Sequence, residues 1–141
     1  MKNWSFIASL LFFLSVGANV LAQEQNNDNQ AEEPTYVVVE KMPEFPGGQQ
    51  ALFDYLKATV QYPTIAKENG IQGTSLVQFV VNKDGSISDV IILRSAEDPS
   101  LDREALRVIR SMPNWVPGKQ RGELVRVKYT VPVRFNLGSG K

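Results

Sequence analysis

Three carboxylates lie close together in the chain and are the best candidates for a catalytic acid–base pair. Asp98, Asp102 and Glu104 fall within one short stretch. Paired carboxylates are the groups that hydrolyse glycosidic bonds. The stretch opens, however, with Asp98-Pro99-Ser100, which is typical of a helix start, where acidic side chains are favoured by the helix dipole. We therefore interpret the three carboxylates as helix-start residues and predict that the protein is not an enzyme.

Composition excludes most other site chemistry. The 141 residues include no His and no Cys, which rules out Ser-His and Cys-His nucleophiles and sites that bind metals through thiolate or imidazole. Asn82-Lys83-Asp84-Gly85-Ser86 resembles part of a calcium loop, but the distal Glu is missing. Asp-Gly between two apolar runs instead indicates a tight hairpin turn. The sequence predicts no metal, no cofactor and no small-molecule substrate.

The elements that position these residues follow from hydrophobic periodicity. Spacings of three and four predict helices, and strict alternation predicts strands. The predicted elements are helices over Gly48–Val60, Pro63–Glu68 and Asp98–Met112, a hairpin of Ser75–Val81 and Ile87–Leu93, and a last strand over Glu123–Asn136. This order predicts an α+β fold in which helices pack on a three-stranded antiparallel sheet.

Three further local patterns carry expectations. Val37–Val39 predicts a small strand, and the two-sided apolar run Val90–Leu93 predicts burial on both faces of its strand. Trp115 lies in a turn between a helix and a strand, where we expect it to be a core anchor. Pro132 lacks an N–H and favours an edge position for the last strand.

The N-terminal residues do not belong to that fold. Lys2, the apolar run Ile7–Val16 and the small residues before Gln23 predict a signal peptide over residues 1–22, with an uncleaved membrane anchor as the alternative. The polar stretch 23–35 predicts a disordered linker. A lead-in with a helix (36–61), the main domain (62–137) and a flexible tail (138–141) follow. We expect the protein to be exported.

Charge is distributed unevenly along the chain. Residues 23–102 carry 5 basic and 13 acidic side chains, whereas residues 103–141 carry 9 and 2. The basic residues alternate with apolar strand residues and are not interleaved with stacking aromatic side chains, so we predict no nucleic-acid partner.

Eight short motifs follow one another over residues 62–137. They are Tyr62-Pro63, Gly70, Gly73, Asp84-Gly85, Leu101-Asp102, Ala105-Leu106, Trp115-x-Pro117-Gly118 and Val131-Pro132-Val133-x-Phe135. Taken in order, they resemble the motifs of the TonB C-terminal domain family.

The resemblance implies a periplasmic domain that binds the TonB box, a short extended peptide of an outer-membrane transporter, as an extra strand beside its last strand. An exposed edge offers unpaired N–H and C=O groups for such pairing. The partner-binding residues implied in this way are Val125, Arg126, Val127, Lys128, Tyr129, Thr130 and Val131. The alternative for this strand is an edge blunted against aggregation by Arg126, Lys128 and Pro132.

The leader and linker bear on how such a domain works. The linker Gln23–Thr35 reaches at most about 45 Å, which with a cleaved leader favours a free module over an anchored energy transducer. A free module would compete for TonB boxes, act as an envelope adaptor, or bind another exported protein. A homodimer formed through edge strands is the structural alternative.

Overall fold

The computed structural model of the protein describes residues 33–138. The predicted signal peptide, nearly all of the linker and the residues after 138 lie outside this range. The helices are α1 (Gln49–Thr59), α2 (Thr64–Glu68) and α3 (Pro99–Arg110); the strands are β1 (Thr35–Tyr36), β2 (Gly73–Val81), β3 (Ile87–Arg94), β4 (Gly118–Gln120) and β5 (Glu123–Phe135). None of the helices within the described range is long and apolar enough to span a membrane.

The predicted α+β architecture is confirmed, with two more strands than expected. The sheet has the order β1-β5-β2-β3, in which the three long strands are antiparallel. Short β4 forms a hairpin with the start of β5, and β1 runs parallel to β5. Neither β1 nor β4 was part of the predicted three-stranded sheet, because strands of two or three residues have no periodic signal.

The pairing of β5 with β2 forms the centre of the sheet. Nine consecutive residue pairs join them without a register shift, from Gly73 opposite Phe135 to Val81 opposite Val127. Along β5 the side chains of Val127, Val131 and Val133 are buried, while those between them are mostly exposed. The expected alternation along this strand is therefore confirmed.

Helix α3 covers the inner face of the sheet because one side of it is apolar. Asp98 caps its first turn by accepting hydrogen bonds from the N–H groups of Ser100 and Leu101, each at 3.1 Å. Its core-facing side chains, Leu101, Ala105, Val108 and Ile109, are fully buried. Helix α1 is joined to α3 by the Tyr55 hydroxyl, which donates to the Val108 carbonyl at 2.8 Å.

Trp115 lies in the core, as expected. Its ring centroid is 5.3 Å from that of Phe79 on β2, 4.9 Å from that of Tyr129 on β5, and 5.8 Å from that of Phe45 in the lead-in. Its backbone N–H donates to the carbonyl of Gly85 at 2.8 Å. One residue therefore contacts the hairpin turn, both central strands and the lead-in.

Two local expectations are wrong. The small strand is Thr35–Tyr36, and Val37 and Val38 are exposed. Residues Ile91 and Leu93 are 49% and 52% exposed instead of buried. Ile91 lies opposite Gln78, next to the core pair of Val77 and Ile92, so it projects to the other face of the sheet.

Strand β3 also pairs irregularly. Its register with β2 shifts between Leu76 and Val77 and again between Gln78 and Val80. Asp89, beside the second shift, has φ 52°, a left-handed conformation that a β-bulge often contains. The outer edge of the sheet at β3 is therefore distorted, unlike β5.

We predict that Gly85→Ala lowers the free energy of unfolding by about 3 kcal/mol or more. Gly85 has φ 85°, and a Cβ atom there would lie 2.1 Å from the carbonyl oxygen of Trp115. Gly122, with φ 76° and open space around it, is the matched control, because Gly122→Ala costs only the backbone strain, about 1 kcal/mol. Urea unfolding of both variants measures the difference. Equal losses would show that the close approach of the turn to Trp115 is unimportant.

Candidate functional site

The three carboxylates first considered for catalysis are each engaged in structural hydrogen bonds. Besides the two backbone N–H groups, Asp98 accepts a bond from the Ser100 hydroxyl. Glu104 accepts bonds from the Gln61 N–H at 2.7 Å and from Arg107 Nε at 2.6 Å. Arg107 also donates to the Thr59 carbonyl at 3.0 Å. These contacts tie α3 to the connection between α1 and α2.

Asp102 links β2, the β3–α3 loop and α3. It accepts hydrogen bonds from the Ser75 hydroxyl at 2.7 Å, from the Ala96 N–H at 2.9 Å and from the Ser95 hydroxyl. Partial burial acts to raise the pKa of Asp102, but the bonds from Ser95, Ala96 and Ser75 outweigh it and hold that pKa below its ordinary value. Ser75 is fully buried, so this carboxylate satisfies a hydroxyl inside the core.

The turn once compared with a calcium loop is a hairpin turn. The Gly85 N–H donates to the Asn82 carbonyl at 2.9 Å, and the Asn82 N–H donates to the Ser86 carbonyl at 2.8 Å. Asp84 accepts from the Ser86 hydroxyl and N–H at 2.6 and 2.9 Å, and the hydroxyl contact is the main reason that its pKa is lowered. Across residues 33–138, no group of acidic side chains is arranged to hold a metal ion.

The residues implied as partner-binding occupy two different environments along β5. Val125 pairs with Gly118 of β4, and Arg126 and Val127 lie opposite Thr35 and Tyr36 of β1. From Lys128 to Phe135, β5 has β2 as its one strand partner among the described residues. We call the opposite side of this stretch the free edge; it includes Lys128, Tyr129, Thr130 and Val131 of the predicted set.

Pro132 indicates which backbone groups face the free edge. It lies opposite Leu76 within the continuous β2–β5 ladder, and a proline in such a ladder is tolerated where its nitrogen points away from the partner strand. Backbone groups alternate in direction along a strand. Lys128, Thr130 and Arg134 therefore direct their N–H and C=O groups to the free edge, while Tyr129, Val131 and Val133 direct theirs to β2.

The basic side chains of β5 differ in how freely they face solvent. Arg126 is half-buried, because its Nε donates to Asn82 at 3.1 Å and its guanidinium lies 3.5 Å from Asp89. Lys128 and Arg134 are exposed. Arg126 thus contributes to holding the β2–β3 hairpin on β5, and the charge available at the free edge comes from Lys128 and Arg134.

A groove that no sequence pattern predicted borders the free edge near the C-terminal end of β5. It has a volume of about 550 Å³ and lies between α1 and β5. We call it the edge groove; it is lined by Phe53, Leu56, Lys57, Val60, Pro132, Val133 and Arg134. The signal available in the sequence was Phe53, an apolar residue of α1 that does not fit the core-facing stripe.

Comparison with known proteins gives a family for most of the described chain. The model of the family described as the C-terminal part of the Gram-negative bacterial TonB protein matches residues 58–137. Protein TonB from two Helicobacter pylori strains, ATCC 700392 / 26695 and J99, is 34% identical over 77 residues, which is 55% of this chain and 26% of each relative. The chain therefore spans about a quarter of the length of these relatives.

One solved structure gives a similar fold. The NMR solution structure of the Helicobacter pylori TonB-CTD is 26% identical, with a TM-score of 0.50, and the likeness covers 64% of this chain and 80% of that chain.

We predict that Asp102→Asn lowers the free energy of unfolding at pH 7 by about 1–3 kcal/mol, because it weakens bonds that satisfy a buried hydroxyl. The lowered pKa gives the sign of the pH dependence. Ionised Asp102 stabilises the fold above the unfolded carboxyl pKa of about 3.9, and this contribution is lost as pH falls through the lower folded pKa. Urea unfolding of both proteins between pH 7 and pH 2.5 measures the difference, which should shrink below about pH 4.

Glu68→Gln, at an exposed position on α2, is the control and should leave the free energy of unfolding at pH 7 unchanged. A difference between wild type and Asp102→Asn that stays constant down to pH 2.5 would contradict the assigned role of the carboxylate.

Proposed function

The chain belongs to the family of Gram-negative TonB C-terminal domains, and from this premise we propose that it is a periplasmic module that binds the TonB box of an outer-membrane transporter as an added strand. Members of this family are envelope-associated proteins of TonB-dependent transport. In the proposal the protein acts by binding and not by catalysis. Binding occurs by pairing with the free edge of β5.

The observation that carries the proposal is the length of β5 relative to its neighbours. β5 has 13 residues, of which β1 pairs with Arg126 and Val127 and β4 with Glu123–Val125. The remaining stretch has open backbone groups on one side. Main-chain pairing to such an edge supplies affinity for an extended peptide without demanding a fixed side-chain sequence.

This geometry refines the proposed site. The residues that would exchange backbone hydrogen bonds with the peptide are Thr130 and Arg134, with the Pro132 carbonyl between them, while β1 limits the site near Lys128. Lys128 and Arg134 would steer a peptide that carries acidic residues, an effect that salt weakens.

Self-association is a second candidate, favoured by the same observation. Two copies can pair their free edges antiparallel around a two-fold axis, which closes the contact. If peptide binding and self-association use the same edge of β5, a TonB-box peptide should convert a dimer to a monomer in sedimentation velocity runs. A dimer that persists at saturating peptide would assign self-association to another surface.

We predict that Thr130→Pro weakens binding of a synthetic TonB-box peptide by about three- to tenfold, the equivalent of one backbone hydrogen bond. Because the Thr130 N–H faces away from β2, the melting temperature should change little. Thr130→Ala is the matched control, since it removes the side chain but keeps the N–H, and should bind normally. Fluorescence anisotropy with a peptide from a transporter of the same organism measures the affinities.

Tyr129→Pro provides the opposite case. The Tyr129 N–H faces β2, so the loss of this N–H should unfold the protein. Should Thr130→Pro stay folded and bind the peptide as tightly as wild type, the partner does not pair with the free edge and the proposed site is wrong.

A further inference from the structure

Helix α1 and the residue that follows it present apolar side chains to the edge groove. Phe53, Leu56 and Val60 are spaced by three and four residues. Leu56 and Val60 are also partly buried against the core, whereas Phe53 is not part of it. Leu52 and Tyr55, on another side, pack into the core and against α3. Phe53 is 51% exposed, and it lines the edge groove together with Leu56 and Val60, so it belongs to an apolar surface larger than one side chain.

Phe53, Leu56 and Val60 line a groove whose other side is the stretch of β5 that has a free edge. The edge groove has α1 as one wall and Pro132–Arg134 as the other. Its volume of about 550 Å³ is in the range that accommodates bound groups in proteins. The groove is therefore continuous with the backbone groups to which an added strand would pair.

The geometry of strand addition determines which peptide side chain would enter the groove. Residues directly opposite each other on paired strands project to the same face of a sheet. Val133 projects inward and is 2% exposed, so the peptide residue opposite Val133 projects to the side where α1 lies. Its two neighbours project to the outer face, near the exposed side chain of Arg134.

We propose that the edge groove is a specificity pocket for one large aliphatic or aromatic side chain of the peptide that pairs with β5, a proposal that rests on the proposed function. The pocket is apolar inside, with Phe53 and Leu56 on α1, Val60 directly after it, and Val133 on β5. Lys57 and Arg134 stand exposed at its rim. The peptide that fits best has an apolar residue opposite Val133 and an acidic residue next to it.

In this proposal the lead-in helix α1 contributes to peptide selection. The family match begins at residue 58, so most of α1 precedes the matched region. The edge groove combines one wall from the TonB-like domain with one from the lead-in. In this assignment, the lead-in determines which peptides are preferred, while the free edge supplies the general affinity.

The first test compares Phe53→Ala with Ile65→Ala in the full chain. Ile65 is 71% exposed on α2 and does not line the edge groove, so it is a matched loss of an exposed apolar side chain. With the TonB-box peptide as probe, we expect Phe53→Ala to weaken binding about tenfold, as for a well-packed interface contact. Ile65→Ala should bind as wild type does, and both variants should keep their melting temperatures.

An alanine scan of the peptide locates the matching residue. Alanine at a single apolar position of the peptide should weaken binding to the wild-type protein. The same substitution should weaken binding to Phe53→Ala very little further, which is the non-additivity expected of two groups in contact. Additive losses at every position would overturn the pocket assignment.

Disulfide trapping provides a readout that does not depend on affinity. Since the chain has no Cys, Lys57→Cys places a single thiol at the rim of the groove, and a Cys is moved along the peptide. We expect trapping at every second peptide position near the one that enters the groove, because strand side chains alternate. Trapping at consecutive positions, or at none, would overturn the pocket assignment.

The outcomes separate the two proposals. If Thr130→Pro weakens binding and Phe53→Ala does not, the peptide pairs with β5 but the groove is not its pocket. If wild type binds none of the peptides, the proposed function fails and the pocket fails with it.

Discussion

The packing around Trp115 is the constraint on which the arrangement of the other elements depends. Its ring contacts Phe79, Tyr129 and Phe45, and its backbone binds the Gly85 carbonyl in the hairpin turn. The hairpin turn can approach the backbone of Trp115 this closely because Gly85 has no side chain. Among the described residues, the indole Nε1 has no hydrogen-bond partner, which typically costs about 1–3 kcal/mol. Aromatic packing at this junction outweighs that loss and fixes β4 and the lead-in against the long strands.

The free edge follows from that arrangement. With the start of β5 held by β4 and β1, and β2 paired along the other side, the later part of β5 retains open backbone groups on one side within the described part of the chain. Helix α1 reaches the same stretch because Tyr55 binds it to α3 and the Glu104–Arg107 pair holds the connection that follows it. The backbone edge and the apolar groove beside it are therefore positioned by the same core.

Sequence patterns predicted the parts of this structure that local rules determine. The alternation of β5, the cap at Asp98 and the Asp84-Gly85 turn each depend on a few adjacent residues, and each was confirmed. Contacts between distant segments were not predictable in this way. The parallel pairing of β1 involves two residues and has no periodic signal, and the edge groove exists only because α1 packs beside β5. The exposure of Ile91 depends on where β3 lies in the sheet.

The distortion of β3 has a consequence for how this protein behaves at high concentration. A domain with two regular sheet edges can pair with another copy at each edge. Every added copy then leaves a new open edge, so pairing continues and the sheet grows into a fibre. Here nine unshifted pairs keep β5 regular, whereas two register shifts and the left-handed Asp89 interrupt β3. We therefore expect strand addition at β5 and not at β3. If a strand pairs with β5 as proposed, that addition also ends further growth of the sheet.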